Sequence, residues 1–158
     1  MISFNASEWQ GLEGMGEEML REMKPKADRL MWKAGTEFQA ALKAILTGKR
    51  SGKPYVVTKG GRIHIASAPG EPPALLWGNL RNSMGFSRPK WAGWTISMEV
   101  GSGLGVRATG DVNPDEYATR LEYGGYNSAG VYIARRPYMA PTEAKMEPVL
   151  QKLFEAGL

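Results

Sequence analysis

The chain has no cysteine and a single histidine, His64. The first absence removes disulfides, thiol nucleophiles and thiolate zinc sites together. The second leaves no partner for a metal site built on several imidazoles. No apolar run approaches the roughly 20 residues needed to cross a bilayer. The N-terminus, MISFNASEWQ, shows neither the basic start nor the apolar core of a secretion signal. The expectation is therefore a chain made and used in a cytoplasm, or in a particle assembled there, with no membrane partner. In that setting the glycosylation triplet Asn5-Ala6-Ser7 carries no meaning.

Catalytic signatures are sparse as well. There is no nucleophile motif and no metal-ligand spacing. Gly101-Ser102-Gly103-Leu104-Gly105 follows a strand-like run, as a dinucleotide fingerprint does. However, no helix follows it, its third glycine is misplaced, and no acidic ribose partner stands on a later strand end. A Walker lysine is missing too. Carboxylates distant in the chain can still meet in space, but the expectation is a protein that is not an enzyme and takes no cofactor or metal. A net charge of +4 is too mild to argue for nucleic acid by itself.

What is present fits one domain over residues 1–158, long enough to bury a usable core. Residues 5–47 read as helix. Asn5 and Ser7 suit N-caps, with Glu8 and Gln10 at capping-box spacing. Trp9, Leu12, Met15, Met19 and Met23 make an apolar stripe. Glu8, Glu13, Glu17, Glu18 and Glu22 gather near the helix start, where the macrodipole favours them. Pro25 is expected to kink or break the helix. The stripe resumes through Met31, Ala34, Phe38, Ala41 and Ile45, and Gly48 is a natural stop. Part of this methionine-rich stripe could contact a neighbouring subunit instead of the core.

Residues 54–134 read as sheet with short helices. Tyr55–Thr58 and Arg62–Ala66 flank Lys59-Gly60-Gly61, a hairpin signal. Pairing Lys59 with Arg62 sets Thr58 opposite Ile63 and Val56 opposite Ile65. No acidic residue lies between Glu37 and Glu71, whereas Lys43, Lys49, Arg50, Lys53, Lys59 and Arg62 all do. That block suits an acidic partner surface or a solvated hairpin, and less readily the phosphates of DNA.

Pro69, Gly70, Pro72 and Pro73 then hold the chain extended up to Trp77 and Gly78. Gly78–Met84 follows as a short amphipathic turn of helix, with Leu80 and Met84 on one side and Asn79 and Ser83 on another. Arg81 and Asn82 fall between. A stiff arm ending in a small anchoring helix suits docking, although the plainer reading, a loop with a core-packing turn, is the one the residues alone favour.

Trp94–Val100 alternates as a half-buried strand with Ile96, Met98 and Val100 inward. A turn at 101–105 leads to a second strand at 106–109. Asn113-Pro114 suits an N-cap and first helical position, opening a short helix through Glu122 that stops at Gly124-Gly125. Tyr117 and Leu121 should pack inward, Tyr123 could join them, and Arg120 and Glu122 are left free to pair outside. Val131–Ile133 is a short strand. The last helix spans 141–156, with Met146, Val149, Leu150, Leu153 and Phe154 on one face and a possible kink at Pro148. The fold class is α+β: a long N-terminal helix and a C-terminal helix packed on a small, mainly antiparallel sheet.

Four stretches in this order carry a resemblance: GEPP at 70–73, GNLRNS at 78–83, YA…LEYGG at 117–125, and RRPYMAP at 135–141 before a final helix. Together they resemble the neck, or tail-completion, proteins of long-tailed bacteriophages, small head–tail joining proteins of the lambdoid type. The resemblance covers residues 68–158, and each motif alone is short and degenerate. It implies a virion protein of the head–tail junction, present in the host cytoplasm during assembly, forming a ring of about six copies. Its implied partners are other copies of itself, the head connector or stopper, and the tail terminator or tail tube. DNA would pass through its channel without sequence-specific binding.

Carried over by motif, Tyr117, Glu122, Tyr123 and Gly124 become candidate interface positions. Trp77, Leu80, Arg81, Ser83, Lys59, Arg62, Arg135 and Arg136 join them because Trp, Tyr and Arg dominate interface energetics and because the arm and the hairpin tip are placed to dock. A tail terminator capping the tail tube is an alternative in the same class. A small basic nucleic-acid-binding domain is the alternative from another class.

Overall fold

The computed structural model describes residues 2–5, 17–57, 61–105 and 113–157. Helix α1, Glu17–Ile45, is the spine. Its buried stripe is Ala27, Met31, Ala34, Phe38, Leu42 and, just past its end, Leu46. Pro25 lies inside α1 and does not end it. An interior proline costs about 3 kcal/mol, whereas each fully buried Met, Leu or Phe contributes roughly 1.5–3 kcal/mol. The stripe therefore outweighs the proline. The C-terminal stop comes from Arg50, whose Nη2 donates to the Ile45 carbonyl at 2.6 Å, and Gly48 does not take the left-handed conformation.

The N-terminal helix does not extend back to residue 5. Ile2–Asn5 is strand β1, and the alternation Ile2-Ser3-Phe4-Asn5 has the period of a strand. β1 pairs antiparallel with β6, Thr95–Met98, which also pairs with β5, Lys90–Ala92. The resulting three-stranded sheet has the order β1-β6-β5. The other expected helical residues before Glu17, with the caps at Ser7 and Glu8, lie outside the described residues.

Among the described residues three two-stranded ribbons complete the strands, all of them antiparallel. β2, Pro54–Val56, pairs with β3, Ile63–Ile65. β4, Gly85–Phe86, pairs with β7, Val100–Gly101. β8, Gly125–Tyr126, pairs with β9, Tyr132–Ile133. In the first ribbon Val56 faces Ile63 and Tyr55 faces His64. The expected register is thus off by two residues, although each side chain keeps its face. The Val57 N–H donates to the Arg62 carbonyl at 2.9 Å, so the loop is longer than a tight two-residue turn. Lys59 and Thr58 lie outside the described residues, as does the strand expected at 106–109.

Between strands run α2, Asn79–Ser83, α3, Pro114–Tyr123, and α4, Met139–Gly157. The Asn113 side chain accepts the Asp115 N–H and Pro114 takes the first turn, as the sequence implies. One core cluster joins the α1 stripe to Leu80, Met84, Ile96, Met98, Val100, Ala118, Tyr138, Met146 and Leu150. Val149 is exposed, so the apolar face of α4 is narrower than expected. The class is α+β, with a long N-terminal and a C-terminal helix against small antiparallel sheets.

Gly35 is what lets α1 lie close on β6 and β4. A Cβ there would sit 2.6 Å from the Met98 Cε and 2.8 Å from the Phe86 ring. Gly85 has a backbone reason instead, since a Cβ would fall 2.2 Å from the Leu104 carbonyl group. The glycine-rich turn at 101–105 therefore packs main chain on main chain, and the Gly105 N–H donates to the Ser83 carbonyl at 2.8 Å.

Candidate docking surface

The proline-stiffened arm, residues 68–78, is held near its start and at its middle. Near its start, the Glu71 carboxylate accepts the Ser51 N–H at 3.0 Å, the Ser51 hydroxyl at 2.5 Å and the Ala68 N–H at 2.9 Å. These hydrogen bonds, the Ser51 hydroxyl foremost, pull its pKa down to about 2. Arg50 bonds the Pro73 carbonyl through Nε at 3.2 Å and Nη2 at 2.9 Å. Arg50 thus bridges the end of α1 and the middle of the arm. Desolvation lowers the pKa of its guanidinium, with Glu71 opposing that shift.

The arm is also stitched to the segment before α4. The Gly70 N–H donates to the Arg135 carbonyl at 2.9 Å, and the Arg136 guanidinium reaches the Ser67 carbonyl at 3.4 Å. Arg136 further bonds the Ala134 carbonyl at 3.0 Å, and Arg135 Nε bonds the Glu122 carbonyl at 3.1 Å. Both arginines spend donors on the main chain of their own subunit.

Glu122 is the largest departure from the sequence reading. It is 4 % exposed, and its carboxylate accepts the N–H groups of Tyr138, Met139 and Ala140 at 2.8, 2.9 and 3.0 Å. It caps the N-terminus of α4 from the neighbouring helix, where both the orphan N–H groups and the macrodipole call for an anion. Expected outside, it lies inside. Arg120, its expected outer companion, donates to the Glu116 carbonyl of its own helix. The Tyr138 hydroxyl has its pKa raised, first by burial and then by Glu122. Tyr123 does not pack inward and is 75 % exposed.

Between the arm, the β2–β3 ribbon, α2 and α3 lies a groove of about 460 Å³. Leu46, Leu75, Leu80 and Leu121 supply apolar walls, with Tyr55, His64, Tyr117 and Trp77 around them. Arg81 and Arg136 line it, and among the described residues no Asp or Glu does. Nε of Arg81 is buried and has no hydrogen-bond partner. Burial, and secondarily Asp115, raises the pKa of the Tyr117 hydroxyl.

Of the sequence-selected positions, the groove gathers Trp77, Leu80, Arg81, Tyr117 and Arg136. Ser83 is buried behind it, its hydroxyl donating to the Leu80 carbonyl at 2.8 Å. Arg62 stands exposed at the ribbon tip and Tyr123 at the end of α3, both apart from the groove. Arg135 is exposed beside β9, and Gly124 takes a left-handed φ of 79° at the end of α3. Trp91, a loop aromatic in the sequence, is half-buried, donates to Asp28 at 2.9 Å and lies under the Lys24 ammonium.

Sequence reasoning placed Glu71 and Arg50 only at the edge of and within the acid-free block, and missed that they anchor the arm. The signal was there in Glu71, the carboxylate that closes the acid-free stretch next to a basic loop. Two further exposed apolar surfaces accompany the groove. Val56, Ile63 and Ile65 cover the outer face of the ribbon, and Tyr126, Val131 and Tyr132 form a knob on the β8–β9 hairpin. The Tyr126 and Tyr132 rings meet edge to face at 5.3 Å.

Among the described residues no group of three His, Asp or Glu side chains is placed to hold a metal, and no helix is long and apolar enough to cross a membrane. No family model matches the chain, and neither does any curated protein or solved structure.

Proposed function

We propose that this chain is a structural protein of the neck of a long-tailed bacteriophage virion, forming a ring of about six copies that joins head connector to tail and leaves a channel for DNA. One observation supports this reading most. The four short stretches that carry the resemblance, distant in sequence, come together as one unit. Glu122 of the third caps the helix opened by the fourth. Gly70 of the first donates to the Arg135 carbonyl of the fourth, Arg136 bonds Ser67 just before the arm, and Leu80 and Arg81 of the second line the same groove as Tyr117 and Arg136. A spacing pattern that is weak as text is coherent as a body.

Large exposed apolar side chains also stand on three separate surfaces: the ribbon, the arm end at Leu76 and Trp77, and the tyrosine knob. Several such surfaces on one small chain fit a piece gripped by neighbours. The deciding experiment is mass in solution, by sedimentation or light scattering, followed by negative-stain microscopy, with the chain alone and with a candidate connector protein. Closed rings support the reading. A monomer under every condition, combined with salt-dependent binding to plain duplex DNA, replaces it with a nucleic-acid-binding domain.

A further inference from the structure

We infer that the groove beside α2 receives residues 8–13 of a second copy of the chain, with Arg81 taking a carboxylate of that segment; this rests on the ring reading above. The groove asks for an acceptor. Among the described residues no carboxylate lines it beside its cations, and a buried guanidinium N–H with no partner among them forfeits a hydrogen bond it would otherwise make to water. Arg136 is already committed to the Ala134 and Ser67 carbonyls, which leaves Arg81 as the receiving group. A carboxylate is the acceptor that matches a guanidinium fork.

The groove also asks for apolar side chains next to that acceptor, because its walls are leucine and aromatic. Its volume of about 460 Å³ falls within the roughly 300–1,000 Å³ of small-ligand sites. Residues 8–13 read Glu-Trp-Gln-Gly-Leu-Glu, so Trp9 and Leu12 stand between two carboxylates. Three carboxylates elsewhere in the chain are engaged within their own subunit: Glu71 on Ser51, Glu122 on α4 and Asp28 on Trp91. The wider charge pattern agrees. The acidic run from Glu8 to Glu22 and the acid-free stretch between Glu37 and Glu71 are opposite in charge along one chain. A segment of one copy seated in a groove of the next is a heterologous contact, the kind that closes into a ring.

The test uses the full chain. Isotope-labelled and unlabelled copies are mixed, each carrying Trp9→benzoylphenylalanine, then irradiated and analysed by mass spectrometry. Cross-links from position 9 of a labelled copy to residues 73–81 of an unlabelled copy are expected. In parallel, Arg81→Glu and the pair Glu8→Lys with Glu13→Lys should each raise the concentration needed for rings at least tenfold. Combining all three should restore it, and circular dichroism melting should show each variant folded. Should Arg81→Glu fail to fold, Trp77→Ala at the exposed rim replaces it. Rings that form while position 9 links only within its own copy, or outside the groove, overturn this inference and leave the ring reading standing. Failure to form rings with or without a partner protein overturns both.

Discussion

Glu122 shows how one side chain can anchor two helices. Three N–H groups that a helix start ordinarily leaves to solvent end on one buried carboxylate. Glu122→Ala removes the acceptor and strands the donors, so it should cost about 2–4 kcal/mol. That loss should lower the melting temperature by roughly 5–15 °C. Glu122→Gln keeps an acceptor oxygen without the charge and should cost less. Thermal unfolding followed by circular dichroism ranks the two, and equal, negligible losses would remove the capping role.

Glu71 makes a separate prediction at the same scale. Its folded pKa is about 2, below the ordinary carboxylate value of about 4.3. An unfolded chain therefore takes up this proton first as the pH falls. The stabilisation is fully present above about pH 4.5 and declines as the pH approaches 2. Glu71→Gln should flatten the pH dependence of stability in that window and leave it unchanged near neutrality. Ser51 is consequently no inert position: Ser51→Asp would set a second carboxylate against Glu71 and remove its hydroxyl donor.

Among the elements, α2 and the arm before it combine two roles that the sequence left open. Leu80 and Met84 are core, while Trp77 is 55 % exposed. Leu80→Asp buries an unpaired charge and should cost about 3 kcal/mol or more. Trp77→Ala should leave the melting temperature within about 2 °C, since surface substitutions usually stay within 0.5 kcal/mol. Chemical denaturation of both variants checks this, and a large loss for Trp77→Ala would make the arm end structural. Gly35→Ala belongs here as well. Crowding Met98 and Phe86 where α1 meets β6 and β4 should destabilise by about 1–3 kcal/mol.

Periodicity made α1, β6, α3 and α4 legible, because each has an apolar face that repeats at its own spacing. The Asn113-Pro114 start and the Gly124 stop were equally plain, since their chemistry is local. What stayed hidden was decided by partners distant in the chain. Ile2–Asn5 is a strand because β6 offers it an edge, which no window of ten residues reveals. The ribbon register slipped because Gly-Gly suits more than one loop length. Glu122 looked like a surface charge because its three donors lie 16 to 18 residues further on. The groove was only half visible: its arm and its arginines stood out, but not their convergence.

For the molecule as a whole, the basic stretch is less available to DNA than its charge count suggests. Arg50 is occupied by the Ile45, Pro73 and Lys49 carbonyls. Lys49, Lys53 and Arg62 remain on the exposed or flanking surface. With Arg50 engaged, Lys43, Lys49, Lys53, Lys59 and Arg62 are left in the stretch, so binding to duplex DNA should be weak and lost between about 50 and 200 mM salt, with a logarithmic slope no steeper than about −4.5 at about −0.9 per phosphate. A filter-binding or anisotropy titration measures it, and a slope reporting six or more phosphates would reassign the stretch to nucleic acid. Substituting Lys53 and Arg62 by glutamate should weaken assembly while moving the melting temperature little, because both are exposed.

The bond between Glu122 and the start of α4 also has a direction in time. The acceptor leaves the ribosome before its donors do, so α3 can be in place, with its carboxylate waiting, when the final helix begins to wind. A chain interrupted at residue 137 would lack all three donors and the helix that covers them, so that carboxylate would stay in water and the apolar cluster would go without Tyr138, Met146 and Leu150.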